Sequence, residues 1–153
     1  MYTKEEAAAL KKEFWSKLRD ELAGQRSADG KKVAWVNYKT GVRDIYFRMH
    51  ADKKEAAISI DIAHADLGIQ ELFYEQFLEF KTYLHNILGE EWIWAPQIQN
   101  AYGQSISTIY KPLAGVNVFN KKDWNKIIKF LKPRIVALDE FWCDAMDNFE
   151  ALM

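Results

Sequence analysis

The sequence predicts an α+β fold: an antiparallel β-sheet of about five strands with helices packed on one face, in a single domain over residues 1–153. Three observations predict it. Residues Lys31 to Ala63 alternate apolar and polar side chains around two turn signals, the pattern of half-buried strands. Four other segments repeat apolar residues at three- and four-residue spacing, the pattern of helices with one buried stripe. No internal repeat, low-complexity tract or interior linker divides the chain, and 153 residues can bury a sizeable core.

In chain order, the first helix runs from about Thr3 to Ala23, with Ala7, Leu10, Phe14, Leu18 and Leu22 on its stripe. Thr3 and Glu6 have capping-box spacing, and Gly24 suits the stop. Gln25 to Gly30 is a polar connection, and strands follow to Ala63. A three-residue loop at Lys39-Thr40-Gly41, with Gly41 left-handed, sets Tyr38 opposite Val42 and Trp35 opposite Ile45. A turn at Lys53-Lys54 sets Met49 opposite Ile58, Phe47 opposite Ile60 and Ile45 opposite Ile62. Both registers put Val33, Trp35, Ile45, Phe47, Met49, Ile58, Ile60 and Ile62 on one face. A one-residue slip would turn that whole set to water. The other face then displays Tyr46, Arg48, His50, Ser59 and Asp61.

Asp66 caps a second helix that runs to about Leu88. Its stripe, from Ile69 through Phe73, Phe77 and Phe80 to Ile87, is widened by Tyr74 and Leu78, which predicts a central helix covered on more than one side. Glu71 and Glu75, one turn apart, read as partners for Lys or Arg of a neighbouring element. A hairpin follows, with arms at Trp92-Ile93-Trp94 and Ile106 to Tyr110 and a turn near Tyr102-Gly103. Pro96 marks its first arm as an edge or a bulge. Val116 to Phe119 reads as one more short strand. Asn120 with Asp123 caps a helix carrying Trp124, Ile127, Ile128 and Leu131. Pro133 opens the last helix, whose stripe is Ile135, Leu138, Trp142, Ala145 and Phe149.

Composition narrows the function classes. Six Trp, seven Tyr and nine Phe supply about 150–250 Å² of buried surface each and read as a ring-rich core. One cysteine, Cys143, excludes an intramolecular disulfide and a multi-cysteine zinc site. The charged start Met1-Tyr2-Thr3-Lys4-Glu5-Glu6 lacks the apolar run of a secretion signal, and no stretch approaches the roughly 18 apolar residues of a membrane span. A cytoplasmic location is the expectation. Net charge is only −1, but it is unevenly spread. Arg26 to Lys54 holds eight Lys/Arg against three Asp, and Lys111 to Arg134 holds seven against Asp123. Glu71 to Glu91 holds five Glu against Lys81, and Asp139 to Glu150 holds five acids and no base. Either the basic segments attract a polyanion, or basic and acidic elements pack against one another.

Several long words in the chain carry a family resemblance: Lys32-Val33-Ala34-Trp35-Val36-Asn37-Tyr38-Lys39-Thr40-Gly41, Ile69-Gln70-Glu71-Leu72-Phe73-Tyr74-Glu75-Gln76-Phe77, Gly115-Val116-Asn117-Val118-Phe119-Asn120, Lys132-Pro133-Arg134-Ile135 and Leu138-Asp139-Glu140-Phe141-Trp142. Together they resemble an uncharacterised bacterial family called domain of unknown function 4268, over most of the chain. The resemblance implies no activity and no catalytic residues. Longer proteins similar to it place such a domain after a restriction-nuclease-like domain, which implies a nucleic-acid setting.

Tests for chemistry return mostly exclusions. A restriction-type nuclease needs an acid on one strand and an acid-x-Lys on the next. Asp44 and Asp61 supply the acids, but Ala63 stands where the lysine belongs. His50 and His64 lie too far apart along the hairpin for one ion. Cys143 sits among Asp139, Glu140 and Asp144, surroundings that do not activate a thiol, and reads as structural. Neither a nucleophile elbow nor a phosphate loop occurs. Polyanion binding survives, because Lys39, Arg43 and Arg48 are interleaved with Tyr38 and Tyr46. The expectation is therefore a non-catalytic binding domain with no cofactor and no metal site. Its partner is macromolecular, with nucleic acid a candidate, and is held by Tyr46, Arg48, His50 and Asp61 together with Asn37, Tyr38, Lys39 and Arg43 near the rim. The alternatives are a metal-dependent nuclease-like enzyme and a structural, self-associating domain. Oligomeric state stays open.

Overall fold

The structure, a computed structural model, describes residues 2–152. Helix α1 (Lys4–Leu22) starts on the expected capping box: the Thr3 hydroxyl accepts from Glu6 N at 3.0 Å, and Glu6 Oε1 accepts from Thr3 N at 3.3 Å. Strands β1 (Ile45–Ala51) and β2 (Glu55–Ile62) form a hairpin whose register pairs Ile45 with Ile62, Phe47 with Ile60 and Met49 with Ile58. The turn is closed by Asp52, whose Oδ1 accepts from Lys54 N at 2.8 Å and Glu55 N at 2.9 Å. Helices α2 (Leu67–Glu79) and α3 (Lys81–Leu88) lead to β3 (Ile93–Gln99), which pairs back on β4 (Ser105–Ala114). A 3-10 turn (Lys121–Asp123) then opens α4 (Trp124–Glu150). The sheet is antiparallel throughout, in the order β1-β2-β4-β3. No helix is long and apolar enough to cross a membrane among the described residues.

One face of this sheet is core. Ile45, Phe47, Ile58, Ile60, Ile62 and Ile109 are buried there, with α4 and α2 packed over them. Rings fill the space between helices. Phe77 lies 4.3 Å from Phe149 between ring centroids, and Trp142 bridges from Phe149 to Phe47 at 5.1 and 5.4 Å.

Six expectations need correction. The sheet has four strands rather than about five, because residues 31–44 form no ladder. Their side-chain tips are anchored to three different elements instead. The Trp35 indole donates to Gln25 O at 3.0 Å, the Tyr38 hydroxyl to Asp139 Oδ1 at 2.6 Å, and the Thr40 hydroxyl to Ile45 O at 2.7 Å. Trp35 and Val42 still reach the core; their apolar pattern recorded burial, not pairing. Gly41 is left-handed as expected, at φ 78°. Val116 to Phe119 is likewise a loop, hung from the β1–β2 turn by Val118 N to Asp52 O at 3.0 Å.

The helix expected from Asp66 to Leu88 breaks at Phe80 (φ −92°, ψ 5°), and Asp66 caps its first part through Gly68 N and Ile69 N. It is not covered on several sides, since Leu67, Ile69, Leu72 and Leu78 are exposed. Conversely, the two last helices are one, with Pro133 inside α4. A mid-helix proline costs about 3 kcal/mol, and an unbroken stripe of buried residues from Ile127 to Phe149 outweighs it. Arg134 braces this turn: its Nη1 donates to Phe130 O at 2.8 Å, and its guanidinium lies 4.1 Å from the Phe130 ring centroid. Asn120 caps the 3-10 turn, but Asp123 turns back to accept from Asn117 N and does not cap α4.

Ile60→Ala removes buried methylenes from the core face and is expected to cost about 2–5 kcal/mol in urea unfolding. Ser59→Ala, one residue away on the open face, is expected to stay within about 0.5 kcal/mol. Equal effects would contradict the strand parity.

Candidate functional site

No helix covers the second face of the sheet. Antiparallel pairing lines its residues in rows: Arg48, Ser59, Tyr110 and Ile93 in one, Tyr46, Asp61, Thr108 and Ala95 in the next. Tyr46 and Arg48 are exposed there. Arg48 Nη1 meets Asp61 Oδ2 at 3.1 Å, and its guanidinium lies 4.3 Å from the Tyr46 ring centroid. Thr108, which the sequence reading missed, donates to Asp61 Oδ1 at 2.8 Å. Asp61 is thus a buried carboxylate with both oxygens engaged, and its work is to hold Arg48 flat on Tyr46. Asp44 does not join it; its carboxylate lies 3.8 Å from Arg43 Nε.

His50 turns away from this cluster to Asp52 Oδ2, 3.1 Å from its Nε2. Burial pushes the Asp52 carboxyl up, but the Lys54 and Glu55 N–H groups and His50 outweigh it and bring the pKa down to about 2. With Glu55, these residues form the one group of three candidate metal ligands among the described residues, with ligand atoms within 4.8 Å of one another.

The remaining predicted residues gather at the edge of the sheet. Asn37, Tyr38, Lys39, Arg43, Tyr46 and Arg48 all line one groove of about 580 Å³ between residues 36–44 and β1. A second groove of about 550 Å³ meets it at Val36, Asn37 and Met49; it is lined by His50 and by Lys11, Lys12, Trp15 and Arg19 of α1. Sequence reasoning missed the α1 wall. The signal was present, since Lys12, Trp15, Ser16 and Arg19 share one helical side next to the buried stripe of Phe14, Leu18 and Leu22. Lys39 and Arg43 are exposed.

Tyr38 is the exception, because it points inward. It stacks on Phe47 at 5.3 Å and donates to Asp139. Asp139, 1% exposed, also accepts from Ser27 Oγ at 2.9 Å and Ala28 N at 2.7 Å. Cys143 Sγ lies near this node, 3.4 Å from Ser27 Oγ. Burial, then the bond to Asp139, pushes the Tyr38 phenol well above the usual tyrosine range.

Among the described residues, only Glu90 joins the acidic run Glu71 to Glu91 to the basic run Lys111 to Arg134, pairing with Arg134 at 2.7 Å and Lys111 at 3.4 Å. Glu71 and Glu75, expected to pair with a neighbouring cation, form no ion pair among the described residues. They flank a recess beside Pro96 and Gln97 instead.

A family model described as Domain of unknown function (DUF4268) matches residues 10–146. The chain belongs to that family. No curated protein matches it, and no solved structure does. The matched span of the DUF4268 domain takes in the whole sheet, both grooves and the Asp139 node.

Tyr38→Phe removes one donor from a buried carboxylate and is expected to cost about 1–3 kcal/mol at neutral pH. The folded phenol titrates above its unfolded value of about 10. The stability it contributes is therefore full below that pH and falls away as pH rises beyond it. Urea unfolding of the two proteins is expected to converge above about pH 10, and a constant gap across that range would contradict the assignment.

Proposed function

We propose that this DUF4268 domain is a non-catalytic binding module that holds an anionic partner in the double groove beside β1. One observation carries the reading. Six residues singled out from sequence line a single groove, and α1 adds Lys11, Lys12 and Arg19 to its continuation, with Asp44 the only acid on either wall. Low-dielectric walls lined by one sign of charge focus potential into a cleft and raise the local concentration of the opposite charge. The open sheet face is the weaker candidate, since its one arginine is already paired with Asp61 and stacked on Tyr46. Lys11, Lys12, Arg19 and Lys39 form no ion pair among the described residues, which supports the same reading.

Heparin serves as the generic polyanion. The protein is expected to bind a heparin column at low salt and to elute at lower salt when Lys12, Lys39 and Arg43 are changed together to Ala. Changing Glu71 and Glu75 to Gln is expected to leave elution unchanged or raise it. Flow-through of the wild-type protein at low salt would overturn the proposal.

A further inference from the structure

The two outer edges of the sheet are treated differently. Pro96 and a bulge between Ala95 and Ile98 interrupt β3, with Gln97 at φ 47°. These devices prevent another strand from pairing there. The opposite edge, β1, has neither. Its pairing with β2 is regular from Ile45 to Ala51.

Hydrogen-bond parity shows which groups this edge presents. Asp52 N bonds Glu55 O and Ala63 N bonds Asp44 O, so even-numbered residues of β1 face β2. The N–H and C=O of Phe47, Met49 and Ala51 therefore face outward, into the grooves that these same residues line. No backbone partner for them occurs among the described residues. Ile45, at the end of the strand, is by contrast satisfied by Val42 O and by the Thr40 hydroxyl. Phe47 and Ala51 are 5% and 2% exposed, so bulk water reaches these groups poorly, and unpaired backbone in such a position calls for a partner.

The facing wall has the same property. Residues 32–41 join no ladder among the described residues and make one turn at Val36–Asn37, although their sequence alternates like a strand. They are held by the tips of Trp35, Tyr38 and Thr40 and by the Trp142 indole on Thr40 O.

We infer that the slot between β1 and residues 36–44 receives an extended acidic polypeptide, which pairs with the free edge of β1 as an additional strand. The inference rests on the groove reading above and names its occupant. Backbone pairing supplies the register, and Lys12, Arg19, Lys39 and Arg43 supply the preference for Asp and Glu on the incoming strand. A second copy of this chain is disfavoured, because two β1 edges brought together would oppose the same cations. Nucleic acid satisfies the charge but has no regular backbone ladder to offer Phe47, Met49 and Ala51.

The test uses a fluorescein-labelled peptide of alternating Thr and Glu, its counterpart N-methylated at every second residue, and oligothymidylate of equal charge. The Thr-Glu peptide is expected to bind, the N-methylated peptide at least about tenfold more weakly, and oligothymidylate no more tightly than the latter. Amide exchange supplies a direct readout. Phe47, Met49 and Ala51 are expected to exchange more slowly when the peptide saturates the protein than in its absence. Met49→Pro removes one outward donor at an edge position that tolerates proline and is expected to weaken peptide binding. Equal affinity for the two peptides, or exchange of those three amides unchanged by saturating peptide, overturns the inference while the groove reading stands. Tighter binding of oligothymidylate does the same. Binding of none of the probes, heparin included, removes both.

Discussion

Burial of one face of the β1–β2 ladder against α4 is the constraint from which the rest of the structure follows. Ile45, Phe47, Ile58, Ile60 and Ile62 can all reach the ring cluster of Phe77, Trp142 and Phe149 in only one register, because side chains alternate with a period of two. That register sends Tyr46, Arg48 and Asp61 to the opposite face. It also sends the N–H and C=O groups of the odd residues outward, because direction of side chain and direction of hydrogen bond are coupled along a strand. Packing thereby decides both what the sheet shows to solvent and which backbone groups its edge leaves unpaired.

Asp139 is the second fixed point, and it explains how a segment without secondary structure keeps its shape. A carboxylate 1% exposed is tolerable only when strong donors surround it. Ser27, Ala28 and Tyr38 supply those donors from one side, so the burial of a single α4 residue draws residues 27–38 toward the helix. Trp142, one turn further along α4, donates to Thr40 O at 2.7 Å and holds the far end. The wall of the groove is thus set by α4 through polar side-chain contacts, while the floor is set by α4 through apolar ones.

The legible part of the sequence was the part governed by short-range periodicity. The β1–β2 register, the capping box at Thr3, the Asp66 cap, the Pro96 edge and the left-handed Gly41 each follow from residues within a few positions of one another. What failed depended on distant partners. Val33 and Trp35 alternate like a strand, yet Trp35 is buried by a bond to Gln25 and by the ring of Tyr38 at 6.0 Å. Pro133 looks like a helix start, yet the apolar stripe on both sides meets the same core and carries the helix through. The site was half visible for the same reason. Arg48 with Asp61 is a diagonal neighbour on adjacent strands and could be read, whereas Thr108 and the α1 wall come from elements whose placement only the tertiary structure fixes.

The contrast between floor and wall also bears on how such a groove would work. β1 is one strand of a four-stranded sheet backed by α4, so its edge keeps a fixed spacing of donors and acceptors. Residues 32–41 join no ladder among the described residues, and elements held by a few side-chain contacts open at lower free energy than packed ladders do. A rigid template beside a yielding wall separates two requirements that conflict in a uniformly stiff cleft. In the proposed complex the template would set register and direction, and the wall would admit the chain. Tyr38 links the two, since its ring stacks on the Phe47 side chain of the template while its hydroxyl holds the wall to Asp139. Displacing the wall would therefore expose Phe47 and leave Asp139 with fewer donors. Both penalties fall on Tyr38, whose contacts set the position of the wall.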